Sequence, residues 1–323
     1  LVTGARGFVG SALCRFLKEQ GHAVRALVRR PGEGPWDEAL VCDLAEEELP
    51  GGLTDGVDGV FHLAGIAHVQ DIARVEDDLY RRVNVEATAA LLESASRSGV
   101  PRFVYFSSVK AVAEPGERCV DESWDEPAAE AYGRSKREAE RRVQEAGRDG
   151  GMHVCNLRPA LVYGPGVKGN LARMMEAASR GRCPLLPEFG NRRSMVGLQD
   201  LIHAAWMAAH HPDASGRTYI VSDGVDYSTR ALFDATCRAA GRAMPKLTVP
   251  IWGLRVGAAV GDALRWLLRR PMPLDTSVLV RIAGSACYRS DRLRNELGWE
   301  PAQRFAEVLP VMLDAHRGSP RLR

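Results

Sequence analysis

Lysine is scarce in this sequence. Of 43 basic residues only five are lysine, at positions 18, 110, 136, 168 and 246, and the other 38 are arginine. The basic residues nearly balance 41 acidic ones and leave a net charge of +2, without the basic excess of a dedicated nucleic-acid binder. No apolar run reaches the roughly 20 residues of a membrane span. The seven cysteines, at 14, 42, 119, 155, 183, 237 and 287, include no C-x-x-C pair. Their odd number and wide scatter argue against a disulfide framework and a zinc knuckle, so a reducing cytoplasm is the expected setting. There is no internal repeat and no low-complexity stretch, and no secretory leader is expected. Leu1-Val2-Thr3 runs straight into a glycine turn, so residues of a first strand are expected before Leu1. What remains is ordinary globular composition, 45% hydrophobic and 26% charged, enough for one large domain or two unequal ones.

The order of patterns gives the fold class. Short apolar runs at 1–3, 23–28, 40–42, 59–63, 102–107 and 154–158 read as strands. Between them, helical spacing covers 8–20, 78–98 and 131–146. Such βαβα alternation implies an α/β protein with a Rossmann-type, doubly wound parallel sheet. After Pro159 the rhythm breaks at Gly164-Pro165-Gly166. Residues 1–165 are therefore expected to form a dinucleotide-binding domain. Residues 166–323 are expected to form a smaller α/β substrate lobe, with segments such as Thr218–Val221 returning to the sheet. Residues 251–270 carry Gly253, Gly257 and Gly261 at four-residue intervals. Arg255, Asp262, Arg265 and Arg269 lie on one face, with Trp252, Val256, Val260, Leu264, Leu267 and Leu268 largely elsewhere. The leading expectation is an amphipathic helix packed on the small lobe; the alternative is a helix that meets a membrane surface or a partner.

Thr3-Gly4-Ala5-Arg6-Gly7-Phe8-Val9-Gly10 stands at the first strand-to-helix crossover. Gly4, Gly7 and Gly10 permit a tight turn, a close approach of backbone to a pyrophosphate and close helix–strand packing. The helix start adds free N–H groups and a positive dipole end. Arg6, Phe8 and Val9 belong to the same cradle. An acidic residue at the end of the second strand would bind the adenosine ribose and select NAD. This chain has Arg29-Arg30 there instead, and guanidinium groups pair with a 2′-phosphate. The cofactor expected is NAD(P), leaning towards NADP(H). Asp43-Leu44 is placed to contact adenine. Leu63-Ala64-Gly65, Ser107 and Pro159 complete the expected cofactor contacts.

Tyr132 and Lys136, four apart on a predicted helix, share a face. A tyrosine with its ordinary pKa near 10 is a poor acid–base catalyst at neutral pH. A neighbouring ammonium favours the phenolate, and the same lysine can hold ribose hydroxyls. Ser107-Ser108 end the fifth strand, and strand carboxyl ends are where ligands meet such sheets. Ser108 is the candidate to bond the substrate oxygen and steady Tyr132.

Taken together, these segments resemble the extended short-chain dehydrogenase/reductase superfamily, in its nucleotide-sugar epimerase/dehydratase branch. The resemblance covers T-G-x-x-G-F-x-G at 3–10, H-L-A-G at 62–65, Asn84-Val85, Ser107-Ser108, Y-x-x-x-K at 132–136, R-P-x-x-V-Y-G-P at 158–165 and L-G-W at 297–299. It implies a catalytic set of Ser108, Tyr132 and Lys136, with Asn84 supporting the active-site helix and helping to hold the cofactor. It implies a diphosphate-holding Arg193, followed by Asp200, with Arg281 as a weaker second arginine. Gly169, Asn170 and Leu185 would lie by the nucleotide. Dehydratases of the family carry an Asp-Glu pair directly after the catalytic hydroxyl; here Val109-Lys110 stands there, so 4,6-dehydration lacks its acid and base. Ala111-Val112-Ala113 replaces the usual V-Y-G. S-S-V-K, with V-Y-G-P-G-V-K-G-N at 162–170 and N-R-R-S-M-V-G at 191–197, is most similar to bacterial 4-keto-sugar reductases and 4-epimerases, the UDP-N-acetylquinovosamine dehydrogenase type among them. Lys110 and Lys168 belong to that resemblance and are expected to face the sugar or diphosphate. The resemblance implies a UDP-linked nucleotide sugar as substrate and a homodimer formed through the helices at 78–98 and 131–146. The alternatives are oxidation or reduction of a non-sugar alcohol or ketone, against which Arg193 and the L-G-W tail speak, and a non-catalytic NAD(P)-binding protein.

Overall fold

The computed structural model describes residues 1–66, 77–180, 186–242, 249–270, 272 and 274–318. In chain order the strands are β1 (Val2–Thr3), β2 (Arg25–Val28), β3 (Glu38–Val41), β4 (Val60–His62), β5 (Arg102–Phe106), β6 (Cys119–Val120), β7 (His153–Pro159), β8 (Leu161–Tyr163), β9 (Arg193–Gly197), β10 (Arg217–Val221), β11 (Asp226–Tyr227) and β12 (Cys287–Tyr288). One seven-stranded sheet runs β10-β7-β5-β4-β1-β2-β3, with every neighbouring pair parallel. The strand order reverses at β1, between β4 and β2. That reversal opens a crevice at the carboxyl ends of β1 and β4, the place where open α/β sheets bind ligands.

Helices cover both faces. On one, α1 (Phe8–Glu19) buries Gly10, Leu13, Cys14 and Leu17 at helical spacing against the sheet. Gly21, at φ +83°, ends it: the N–H groups of Gly21 and His22 return to the carbonyls of Lys18 and Leu17. On the other, the stretch predicted as one helix is α2 (Asp77–Tyr80), a π-helical turn over Arg81–Glu86, and α3 (Ala87–Arg97). It packs beside α4 (Ala131–Gly150) over Leu53, Phe103, Tyr105 and Val154. The smaller lobe sets α5 (Gly169–Ser179) and the sheet β11-β9-β8 around Tyr163, Leu171, Met195 and Phe305. α6 (Leu198–His210) and β10 lie beyond residue 165 yet belong to the main sheet, where Leu201, Ala205 and Tyr219 are buried with Val2 and Leu157. α7 (Thr229–Ala239) packs against α5.

Two expectations are corrected here. The first concerns α8 (Ile251–Leu268), which was expected to pack its bulky apolar residues on the small lobe. The stripe that packs is the small one. A methyl group on Gly261 would lie 1.8 Å from the carbonyl oxygen of Leu274, so glycine is what lets α8 approach the start of α9 (Thr276–Ala283). Leu254 and Ala258 are buried with Gly261, while Trp252, Val256, Val260, Trp266 and Leu267 face solvent. The second concerns the cysteines. Cys119 and Cys287 form a disulfide across 168 residues, because β6 and β12 pair in parallel with these two residues in register. Cys14, Cys42, Cys155 and Cys237 are buried and outside any disulfide. After β12, α10 (Asp291–Leu297) and α11 (Phe305–Gly318) complete the order. Among the described residues, no helix is long and apolar enough to cross a membrane.

Candidate functional site

The glycine turn sits at the crevice, and its glycines are spatially required. Gly4 has φ +67°, and a Cβ there would meet the Ala64 nitrogen at 2.8 Å. A Cβ on Gly10 would lie 2.3 Å from the Gly4 carbonyl oxygen. The first turn of α1 thus begins directly at the strand end. Its N-cap is Gly7, with no capping side chain and no acidic residue in the first turn, so its N–H groups and dipole stay available to an anion. Arg6 donates from Nη1 to the carbonyls of Arg30 and Pro31, at 3.2 and 3.1 Å, and so ties the cradle to the end of β2. Arg29 and Arg30 are exposed there, with no ion pair among the described residues. Asp43 does not point outward alone: its Oδ1 accepts from the Ala45 N–H at 3.0 Å, and Leu44 packs on the core beneath.

A buried relay that sequence reading missed holds the floor of the crevice. Thr3 Oγ1 accepts from the N–H groups of Leu63 and Ala64, at 3.1 and 3.0 Å, and lies 2.6 Å from His62 Nδ1. His62 Nε2 lies 2.9 Å from Thr88 Oγ1, which donates to the Asn84 carbonyl at 2.8 Å. With both hydroxyls committed in this direction, His62 is neutral with its proton on Nε2. Burial, with the Lys136 charge nearby, pushes its pKa down to about 3. The histidine of H-L-A-G was the one signal of this relay in the sequence.

Asn84 lies in the π-helical turn, a feature frequent at functional sites. Its Oδ1 accepts from the Ile66 N–H at 2.9 Å, and its Nδ2 donates to the Ile66 carbonyl at 3.2 Å and to Ser135 Oγ at 2.9 Å. The amide therefore couples the loop after β4 to the first turns of α4. A Cβ on Gly65 would stand 2.9 Å from Asn84 Oδ1 and 3.6 Å from Lys136 Nζ. The crevice is open there because that residue has no side chain.

Tyr132 and Lys136 project from the amino-terminal turns of α4. Gly133 sets the height of the helix: a Cβ would lie 2.2 Å from the Lys110 carbonyl oxygen and 2.6 Å from Ala128 Cβ. That contact brings Tyr132 to hydrogen-bond Ser108, which ends the loop following β5. Tyr80 packs against the Tyr132 ring at 6.0 Å between centroids, a neighbour with no signal in the sequence. Here an expectation is corrected. Burial raises the Tyr132 pKa, and only the Ser108 hydrogen bond lowers it. Lys136 does not reach the phenol. Its long side chain runs down to the sheet, where Nζ donates to Tyr105 Oη at 3.0 Å and to the Phe106 carbonyl at 2.7 Å. Burial brings the Lys136 pKa down to about 7, opposed by Glu140 one turn further along. Glu140 itself is gripped by Arg158 of β7 through two hydrogen bonds of 2.8 and 2.7 Å.

The residues present fit a dinucleotide. A Cβ would fill the cradle at Gly4 and Gly10, and Ser107 Oγ is buried at the end of β5 with no partner. Pro159 closes β7 beside the same sheet edge, opposite Val221.

On the substrate side, Lys110 forms an ion pair with Glu114, and burial lowers its pKa, with Arg193 adding to the effect. Arg193 opens β9. One of its terminal nitrogens donates to the Arg281 carbonyl, while its Nε is buried without a partner. The backbone of 281 thus reaches Arg193, but the Arg281 side chain is exposed and turns back onto Ser277. Lys168, Gly169 and Asn170 form the exposed start of α5, with Gly169 at φ +73°. Leu185 lies outside the described residues. Asp200 does not partner Arg193; its carboxylate accepts from the N–H groups of Ala302 and Gln303, at 3.0 and 2.9 Å, and anchors the loop after the buried Trp299.

Residues 1–222 match the NAD dependent epimerase/dehydratase family. The chain belongs to this family. Over 322 residues it is 33% identical to a UDP-glucose 4-epimerase of Vibrio cholerae, covering 95% of this chain and 92% of that one. Over 342 residues it is 30% identical to a 3 beta-hydroxysteroid dehydrogenase/Delta 5-->4-isomerase of Mycobacterium tuberculosis, covering 96% of this chain and 89% of that one. In fold it is similar to MoeE5 in complex with UDP-glucose and NAD, with a TM-score of 0.77, 24% identity, and 98% and 97% of the two chains covered. Family members with sugar-nucleotide and with steroid substrates therefore both align along nearly the whole chain. An NAD-dependent oxidoreductase or epimerase is the level that membership supports.

Proposed function

We propose that this epimerase-family protein acts at C4 of a UDP-hexose as a 4-epimerase, with 4-keto-sugar reduction as the other reaction the same residues serve. The observation that carries the reading is the Ser108–Tyr132 hydrogen bond with two partly desolvated cations beside it: Lys110, whose backbone abuts Gly133, and Arg193, whose charge acts on Lys110. Arg193 keeps a buried Nε with no hydrogen-bond partner among the described residues. A buried unpaired donor on a cation is costly, and a diphosphate would satisfy it where a steroid would not.

NAD(P), when bound, would supply the hydride acceptor and donor. The chain supplies the rest. Tyr132 takes the proton of the C4 hydroxyl and returns it to the oxygen of the 4-keto sugar. Ser108 holds that oxygen and the phenol together. Lys136, fixed by Tyr105 and Phe106, presents a compact positive charge towards the ribose side of the crevice. Val109 and Lys110 supply no carboxylate pair, so elimination of water is not served. Arg29 and Arg30, exposed and without acidic partners among the described residues, support a preference for the 2′-phosphate of NADP(H). A homodimer through the outer faces of α3 and α4 belongs to the same reading.

The test is turnover. Purified protein given UDP-galactose or UDP-N-acetylgalactosamine should interconvert it with its 4-epimer, without net consumption of cofactor, and Tyr132→Phe should lower the rate by about 10² to 10⁴. Stoichiometric cofactor oxidation with a UDP-4-keto sugar would instead identify the reductase. Oxidation of a 3β-hydroxysteroid, with no binding of any UDP-sugar, would overturn the sugar reading.

A further inference from the structure

Helix α8 turns its large side chains outward. Trp252 is 71% exposed and Trp266 82%, with Val256, Val260 and Leu267 between 54% and 67%. At 100° per residue these five fall within about 120° of one another around the axis, and the two tryptophans stand about 21 Å apart along it. The face opposite, with Leu254, Ala258 and Gly261, is already used for packing. Residues 251–270 hold four arginines against one aspartate, so this one segment carries more positive charge than the whole chain nets. Asp262 is committed to Thr276, and Arg265 to Asp275. Arg255, Arg269 and Arg270 are exposed, with no ion pair among the described residues. Val280 of the adjoining α9 is also exposed, at 63%.

We infer that α8 is a docking helix for an anionic lipid bilayer surface. An apolar stripe along the whole helix, tryptophans near both ends and an arginine edge beside the stripe are what a helix lying in the membrane interface requires. The tryptophans sit at headgroup depth, the valines and leucine enter the acyl boundary, and the arginines meet lipid phosphates. A second copy fits less well: a two-fold antiparallel pairing of this stripe would set the two arginine edges side by side. The described part of α8 is too short in apolar content to span, so the contact is peripheral and reversible.

The experiment is flotation of the full chain with vesicles of phosphatidylcholine alone and with 30% phosphatidylglycerol. Binding should require the anionic lipid, fall as salt is raised, and shift tryptophan emission to the blue. Trp266→Glu should abolish it, and each of Arg255→Gln, Arg269→Gln and Arg270→Gln should weaken it about fivefold. The thermal shift produced by NAD, unchanged in these variants, shows that they are folded. Equal binding to uncharged vesicles would overturn the proposal. So would a failure to float together with a concentration-dependent dimer that Trp266→Glu dissociates, which would assign the face to a second copy.

Discussion

Arg158 grips Glu140 with two parallel hydrogen bonds, at 2.8 and 2.7 Å, and both side chains are 2% exposed. The pair joins β7 to α4 one turn beyond Lys136, and Asn156 Nδ2 adds a bond of 3.2 Å to the Glu140 carbonyl. The active-site helix is thus fastened to the sheet by a buried ion pair as well as by apolar packing. Glu140→Gln leaves the Arg158 charge buried without its partner and should cost about 3–5 kcal/mol in urea unfolding. Replacing both residues, as Glu140→Leu with Arg158→Met, should recover most of that loss. A single variant as stable as the parent would show that the pair does not hold the helix.

Gly133 controls how closely α4 approaches the turn that carries Ser108. Because a Cβ there would lie 2.2 Å from the Lys110 carbonyl oxygen, Gly133→Ala must lift the helix start and part Tyr132 from Ser108. A displacement of that kind should lower kcat about a hundredfold. The glycine turn at 4–10 is not among the atoms a Cβ at 133 would meet, so the dissociation constant for NAD should hold. Loss of NAD binding in parallel with kcat would point to a general fold defect instead.

Lys136 makes stability depend on pH in a definite direction. Its pKa is about 7 in the folded protein against 10.5 ordinarily. Between those values the unfolded chain holds a proton that the folded chain has released, so stability rises with pH. The penalty is present in full below pH 7 and is relieved as pH climbs towards 10.5. Within the window the slope is about 1.4 kcal/mol per pH unit. Urea unfolding at pH 7, 8 and 9 should show this slope in the parent and lose it in Lys136→Met; identical slopes would sink the assignment.

The bridge between Cys119 and Cys287 closes a loop of 168 residues. In the chain-entropy account a closure that long contributes about 5 kcal/mol. Reductant should therefore lower the melting temperature of the parent and leave that of Cys287→Ser unchanged. Thiol labelling of unfolded protein before and after reduction should differ by two. No difference in labelling would show the two thiols to be free.

Much of the nucleotide half was legible in the chain. The strand–helix alternation, the glycines at 4, 7 and 10, and the Tyr132–Lys136 spacing are local patterns, set by backbone freedom and by 3.6- and 2-residue periods. Spacing placed Lys136 on the face of Tyr132, but not at Tyr105 and Phe106, 31 and 30 residues earlier in the chain. Of the five lysines, the sequence assigns no role to Lys18 and Lys246; Asp37, 2.5 Å from the Lys18 Nζ, supplies a structural one for the first, and Lys246 lies outside the described residues.

The sequence by itself determined the fold class, the glycine turn at the first crossover and the Tyr132–Lys136 spacing on which the proposed catalytic set rests, because each is written in residues close together along the chain. Only the tertiary structure decided the Thr3–His62–Thr88 relay, the Glu140–Arg158 anchor, the Cys119–Cys287 bridge and the outward face of α8. These depend on which distant segments come into contact. For α8 the periodicity marked two stripes, and the close approach of Leu274 to Gly261 chose the small one to pack.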